Sequence, residues 1–190
     1  MRRKSIRKIA LVTGLLLAAA FVSGCGAKSE EQTETAAENA AVAAEPTGRD
    51  EVSFQGTTLD DESVDESMFA DAELTMVNVW ATYCSPCISE MPDLGAIAEE
   101  YADKGFQMVG IVSDVQEGDD TASAKEIVAD TGAAYTHLLL NQQIYSTFLN
   151  GVTAVPTTFF VDSEGNQVGE QYVGARSKEE WVEIIEALLQ

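Results

Sequence analysis

The 190-residue chain has few of the residues that build metal centres. It contains three cysteines and one histidine, whereas a closed zinc site needs four ligands that usually come as two Cys/His pairs. Three cysteines also cannot form a multi-disulfide scaffold. We therefore expect no metal site and no cofactor, and we expect the one histidine, His137, to be a packing residue.

Basic residues are scarce as well. Eleven Lys and Arg face 32 Asp and Glu, which gives a net charge of −21. A chain this acidic repels phosphate backbones, so the composition argues against nucleic acid as a partner and against adsorption to an anionic membrane surface. Hydrophobic residues make up 45% of the chain, which is enough to close one globular core.

The apolar run near the N-terminus is too short to span a bilayer. It extends over residues 9–22, against the roughly 20 residues that a membrane-spanning helix needs, and it has the length of a signal-peptide core. The following residues, Val22-Ser23-Gly24-Cys25, resemble the bacterial lipoprotein signal, in which the cysteine becomes the lipidated first residue. We expect residues 1–24 to be a lipoprotein signal peptide and Cys25 to carry lipid. The alternative is an uncleaved membrane helix with an incidental cysteine.

Residues 25–50 contain Cys25 and then a segment rich in Ala, Glu, Thr, Ser and Gln, without aromatic residues. Such a composition cannot bury enough apolar surface to order itself. We predict a flexible acidic tether, with an Ala-rich helix as the alternative.

Residues 51–190 show strand patterns that alternate with helix patterns, which indicates an α/β domain with a mixed sheet. The last helix begins with a capping box formed by Ser177 and Glu180. The predicted strands are Val52–Leu59 at an edge, Leu74–Ala81 at the centre, Phe106–Ser113, Thr136–Leu140, Thr157–Val161 and Val168–Val173. The predicted helices before the last one are Ser85–Lys104, Thr121–Thr131 and Gln142–Leu149.

The chemically informative motif is Cys84-Ser85-Pro86-Cys87, placed between the central strand and a helix. Unpaired N–H groups at a helix N-terminus stabilise negative charge, so we expect the pKa of the Cys84 thiol to lie below the ordinary value of about 8.5. Cys84 is then the nucleophile and Cys87 the resolving cysteine, and the two alternate between a dithiol and a redox-active disulfide. Zinc binding lacks ligands, and so short a loop gains little from a structural disulfide.

The segments WATYCSPC and AVPTTFFVDSEG, with the long insertion between them, resemble the thioredoxin superfamily. The similarity is greatest to the membrane-anchored extracytoplasmic thiol–disulfide oxidoreductases of the TlpA/ResA group. It implies a thioredoxin-like fold: a central mixed sheet flanked by helices, with an N-terminal extension and a central insertion.

The resemblance also implies further site residues. Pro156 corresponds to a proline in the cis form opposite the cysteines, where it would present the backbone of Val155 to an extended substrate peptide. We expect Tyr83, which replaces the usual tryptophan, to pack beside the site and Trp80 to lie beneath it, both contributing to substrate binding.

Two acidic positions separate this sequence from thioredoxin itself. Thioredoxin has a buried Asp six residues before the first cysteine, where this chain has Asn78, and an amide cannot accept a proton from Cys87. The anchored group has a Glu three residues after the second cysteine, and Glu90 stands there. Our hypothesis is that Glu90, with a raised pKa, is the proton acceptor for Cys87; the alternative is a solvated helix glutamate.

The function implied is a dithiol that reduces disulfides in client proteins from the extracytoplasmic face of the cell membrane. The implied partners are those clients, a membrane protein that donates electrons to the dithiol, and the membrane itself through lipid on Cys25; we expect a monomer. The alternatives are a dithiol oxidase of secreted proteins, a peroxiredoxin-like thiol peroxidase and a non-catalytic binding lipoprotein.

Overall fold

The computed structural model of the chain describes residues 52–190. The predicted signal peptide at 1–24 and the predicted tether at 25–50, with Cys25, lie outside the described residues. Over 52–190, no helix is both long enough and apolar enough to cross a membrane.

Seven strands and four α-helices form the described domain. Two 3-10 turns, Glu66–Phe69 and Ala102–Lys104, and one π-helical turn, Tyr145–Leu149, join them. The strands are β1 (Gln55–Thr57), β2 (Ser63–Asp65), β3 (Leu74–Trp80), β4 (Phe106–Gln116), β5 (Thr136–Leu140), β6 (Thr157–Val161) and β7 (Gln167–Val173). The helices are α1 (Ser85–Tyr101), α2 (Ala122–Thr131), α3 (Gln142–Ile144) and α4 (Lys178–Leu188).

The main sheet has the strand order β5-β4-β3-β6-β7. Strands β3, β4 and β5 run parallel, while β6 is antiparallel to both β3 and β7. All seven residues of β3 are buried, as expected for the middle strand of a sheet covered on both faces. The predicted mixed sheet with a central strand after residue 73 is thus confirmed.

The predicted edge strand Val52–Leu59 is wrong in extent and in place. Its middle forms β1, which pairs with β2 in a separate two-stranded sheet. The segment meets β5 of the main sheet at its end, where Thr58 bridges to Leu138 and the N–H of Leu59 donates to the carbonyl of His137 at 2.7 Å. The cause is a tight turn: the Thr58 hydroxyl accepts the N–H groups of Asp60 and Glu62. Asp61 takes a left-handed backbone, so the chain reverses before it can continue along the sheet.

The helix boundaries follow local signals. Helix α1 begins directly after Cys84, and its 3-10 extension stops at Gly105, where φ is 74°. The capping box predicted for Ser177 and Glu180 is present at the start of α4. The predicted helix Gln142–Leu149 is instead one α-helical turn followed by a π-helical turn.

One row of residues crosses the main sheet beneath the cysteines. The strand register aligns five residues of β5, β4, β3, β6 and β7 side by side. Gly110 leaves room in this row, because a Cβ there would collide with the imidazole of His137. Around Gly110 the row therefore aligns four polar side chains: His137, Asn78, Thr158 and Tyr172.

Candidate active site

Cys84 caps the N-terminus of α1. Its backbone is extended, its N–H donates to the carbonyl of Ala81 at 3.0 Å, and its Sγ accepts the N–H of Cys87 at 3.3 Å. The two cysteines form a disulfide with their Cα atoms 5.3 Å apart. The N–H of Cys87, which points at the Cys84 sulfur in the disulfide, also stabilises a thiolate on that sulfur once the disulfide is reduced.

The two sulfurs differ in their access to solvent. Cys84 keeps 6% of its surface exposed, and Cys87 keeps none. Disulfide exchange requires a thiolate to approach one sulfur from outside. In this state only Cys84 can be approached, which fits the order of attack that we assign to the pair.

Pro156 follows Val155 through a cis peptide bond. Val155 is half-buried and packs against the apolar cluster that contains both cysteines. The carbonyl of Pro156 accepts the N–H of Gly174 at 2.8 Å, which ties the start of β6 to the end of β7. The structure therefore brings Val155 and the cysteines together, as the resemblance implies.

The two aromatic residues before the cysteines differ in burial. Tyr83 is 76% exposed, so it projects from the surface next to Cys84 instead of packing beside the site. Trp80 is fully buried, and the prediction that it contributes to substrate binding is wrong, since a docked polypeptide cannot touch it. The strand pairing places Trp80 on β3, where it forms the floor under the cysteines.

Glu90 is buried, with 4% of its surface exposed, so the alternative of a solvated helix glutamate is wrong. Asn78 donates its amide N–H to Oε1 at 3.1 Å, and the backbone N–H of Arg176 donates to Oε2 at 3.1 Å. The same Asn78 amide donates to the Thr158 hydroxyl at 3.0 Å. The carboxylate thus lies between α1, β3 and the segment that precedes α4.

Burial raises the pKa of Glu90 above its ordinary value. The N–H of Arg176, the amide of Asn78, the indole of Trp181 and the charge of Arg176 oppose this shift. The Trp181 indole N–H meets no acceptor at full hydrogen-bond geometry, so its influence is the weaker, longer-range kind. A buried carboxylate with a raised pKa is a better proton acceptor than a solvated one.

The sequence model of the family described as Redoxin matches residues 24–189. The chain belongs to the Redoxin family. Its similarity extends to a solved structure, the thiol:disulfide interchange protein of the thioredoxin family from Chlorobium tepidum TLS. That chain is 30% identical with a TM-score of 0.63, and the match covers 73% of this chain and 94% of that one. The thioredoxin-like fold is thereby confirmed.

Named relatives of this Redoxin-family chain match over a shorter stretch. Thiol-disulfide oxidoreductase ResA of Bacillus anthracis is 30% identical over 105 residues, which are 55% of this chain and 57% of that protein. Thiol:disulfide interchange protein DsbE of Pseudomonas fluorescens biotype C is 36% identical over 107 residues, which are 56% and 54% of the two chains. The matched segments span little more than half the length of these relatives.

His137 has a structural partner that the sequence did not reveal. The Trp80 indole donates to His137 Nδ1 at 3.1 Å, and Nε2 lies 2.9 Å from the carbonyl of Ala133. Burial lowers the pKa of His137 to about 4, so the ring is neutral at pH 7 and Nδ1 can accept while Nε2–H donates. This hydrogen-bonded chain fixes the tryptophan under the cysteines of the Redoxin site.

Sequence reasoning missed the groups that hold Glu90. Asn78 was read only as the absence of an acid, whereas it is a hydrogen-bond donor to the carboxylate. A polar residue within an otherwise apolar central strand was the available signal, because buried polar groups need partners. The backbone of Arg176 left no signal, since it meets Glu90 only through the packing of segments 86 positions apart.

Proposed function

We propose that this Redoxin-family protein is a thiol–disulfide oxidoreductase that reduces disulfides in client proteins. The observation that carries the proposal is Cys84, whose partly exposed sulfur lies at the N-terminus of α1 within bonding distance of the buried Cys87. The names of the relatives, ResA and DsbE, describe thiol–disulfide exchange and support the same chemistry here.

The first step is attack by the Cys84 thiolate on a client disulfide. A new bond forms between the Cys84 sulfur and one client sulfur, and the client's own disulfide breaks. The other client sulfur leaves as a thiolate and takes a proton from water. Val155, next to the cysteines, offers its backbone to the client chain, and exposed Tyr83 contributes contact area.

The second step is release of the client by Cys87. Glu90 accepts the Cys87 proton, and the resulting thiolate attacks the Cys84 sulfur. The Cys84–Cys87 disulfide forms and the second client sulfur leaves as a thiolate, so two electrons pass from the dithiol to the client. In the disulfide form Cys87 has no proton, and both Glu90 oxygens accept from other donors.

The proposal includes the location and the direction of the reaction. Lipid on Cys25 would hold the domain at the extracytoplasmic face of the membrane, and residues 26–50 would give it reach. A membrane protein that donates electrons would return the disulfide to the dithiol. The support for this part is the lipoprotein-like signal before Cys25 and the resemblance to the anchored reductases.

The peroxidase alternative needs an arginine that polarises peroxide beside the reacting sulfur. Arg176 is the one arginine in residues 52–190. Its guanidinium lies over the rings of Tyr172 and Trp181, at 4.8 Å and 5.2 Å from their centroids. It also donates to the carbonyl of Gly174. These contacts hold the guanidinium in the β7–α4 region. We therefore retain the disulfide reductase as the proposed function in place of the peroxidase.

The deciding experiment is trapping of a mixed disulfide with purified protein. The reduced Cys87→Ser variant should accumulate a mixed disulfide between Cys84 and insulin when it is incubated with insulin that has intact disulfides. The Cys84→Ser variant should form no such adduct. Wild-type protein should release reduced insulin and end as the disulfide. Absence of an adduct with Cys87→Ser, or equal adducts with both variants, would exclude the assigned order of attack.

Direction is tested by the reduction potential against glutathione. A value well below about −200 mV supports the reductase, and a value near −120 mV, approximately that of a strong dithiol oxidant, would support the oxidase alternative. Labelling of growing cells with a palmitate analogue tests the anchor: wild-type protein should incorporate it, and Cys25→Ala should not.

A further inference from the structure

A carboxylate from the neighbouring strand binds the turn that precedes the cysteines. The N–H of Thr82 donates to both oxygens of Asp114, at 3.0 Å and 3.1 Å, and the Thr82 hydroxyl donates to Oδ2. Asp114 is exposed and Thr82 is half-buried. All three hydrogen bonds join the same two residues, so the carboxylate holds the backbone and the side chain of Thr82 together.

The strand register explains why these residues meet. Strands β3 and β4 are parallel, and Trp80 lies opposite Val112. The chain that leaves β3 therefore runs beside Ser113 and Asp114 of β4. The Ser113 hydroxyl donates to the carbonyl of Trp80 at 2.9 Å. Asp114 accepts hydrogen bonds from Thr82, two residues further along the chain. Two consecutive side chains of β4 thus anchor the approach to Cys84.

The hydrogen bonds to Thr82 also bring the negative charge of Asp114 to this turn. The ten residues 80–89 contain no charged side chain; Asp114 therefore brings a negative charge to the residue two positions before Cys84. Negative charge disfavours the formation of a thiolate nearby. A dithiol whose thiolate is less stable gives up its electrons more readily, which makes the protein a stronger reductant.

We propose that Asp114 is a positioning and potential-setting residue: it anchors the turn before Cys84 through Thr82, and its charge makes the dithiol more reducing. Asp114 does not touch the reacting sulfurs in this role. The inference rests on the proposed function. It adds that a residue outside the Cys-x-x-Cys segment helps to set the direction of electron transfer between the dithiol and its client.

The test compares reduction potentials of the full-length protein and its variants against glutathione. Asp114→Asn removes the charge and keeps one acceptor oxygen, and Asp114→Glu keeps the charge. Thr82→Val removes the hydroxyl bond and keeps Asp114. Asp103→Asn, in the 3-10 turn after α1, removes an equal charge at the end of that helix opposite Cys84 and serves as the control.

We expect Asp114→Asn to shift the equilibrium with glutathione three- to tenfold toward the dithiol, which raises the potential by about 15–30 mV. The absorbance of the thiolate at low pH should rise in parallel. Asp114→Glu, Thr82→Val and Asp103→Asn should keep potentials near that of the wild type. Because Asp114 is exposed, the shift should shrink in about 1 M salt, where the screening length is about 3 Å.

Three results would overturn the proposal: an unchanged potential in Asp114→Asn, an equal shift in Asp103→Asn, or a shift in Thr82→Val as large as that in Asp114→Asn. The last result would assign the effect to the shape of the turn and not to charge. Failure of the proposed function is a separate outcome, because wild-type protein would then not reduce insulin although its potential could still be measured.

Discussion

Glu90→Gln is the substitution that tests the proposed second step most directly. The change keeps the size of the side chain and removes its ability to take a proton. The carboxylate accepts one hydrogen bond from Asn78 and one from the backbone of Arg176. Glutamine offers one oxygen for these two donors, so one buried N–H loses its acceptor at a cost of about 1–3 kcal/mol.

The kinetic magnitude follows from the ionisation of Cys87. Without an internal base, attack on the mixed disulfide depends on the fraction of thiol that ionises into water. With an ordinary thiol pKa of about 8.5, that fraction is about 3% at pH 7. Client release should therefore slow about 30-fold at pH 7. The figure corresponds to complete transfer of the Cys87 proton to Glu90 in the wild type, so it is the upper end of the expected effect.

The assay is single-turnover release of a thiol from a preformed mixed disulfide on Cys84, followed from pH 5 to pH 9.5. The wild-type rate should rise with pH as Glu90 loses its proton, and this rise should lie above the ordinary glutamate range because burial raises the pKa of Glu90. The Glu90→Gln rate should keep rising until the thiol itself ionises, and the two profiles should converge near pH 9.

Glu183→Gln, an exposed position on α4, is the matched control and should reproduce the wild-type profile. Parallel profiles for wild type and Glu90→Gln, in a variant that still folds by circular dichroism, would refute the role of Glu90 as proton acceptor. A uniform loss of rate at every pH would do the same, because it would indicate a structural effect.

Three further substitutions test the packing beneath the site and the cap of α4. Since burial lowers the pKa of His137 to about 4, only the unfolded chain takes up this proton as the pH falls from 6.5 to 4, and roughly 3 kcal/mol of stability should be lost there. His137→Gln should show a smaller loss in urea unfolding at pH 7 and pH 4.5; an equal loss would contradict the buried neutral ring. Gly110→Ala should cost roughly 1–3 kcal/mol in the same assay, because the new Cβ collides with the imidazole. Ser177→Ala should cost about 1 kcal/mol through the lost cap of α4, and an unchanged midpoint would show that the cap does not contribute.

The parts of the fold that the sequence predicts are those with strong local signals. The apolar run of β3 and the helix after Cys84 were placed to within a few residues, because burial on both faces and a defined helix start leave their mark on composition. The β1–β2 hairpin was misread. Its partner strand, Ser63–Asp65, has one apolar residue, and the turn that forms it depends on the Thr58 side chain.

For the site, the sequence predicts which residues react but not what surrounds them. The spacing of Cys84 and Cys87 was sufficient to predict the disulfide that the structure contains. The environment of Glu90 depends on Arg176, and the support of the turn depends on Asp114, 32 residues from Thr82. Contacts of this kind arise when distant segments pack together, and no local periodicity encodes them.

The hydrogen bond from Trp80 to His137 has a consequence for engineering. His137 belongs to β5, and Ala133, its second partner, lies between α2 and β5. If α2 and β5 were removed to obtain a minimal redox scaffold, the buried indole N–H of Trp80 below the cysteines would lose its hydrogen-bond acceptor. These elements support the residue beneath the Cys84–Cys87 turn, so a redesigned scaffold has to keep them or supply another acceptor for Trp80.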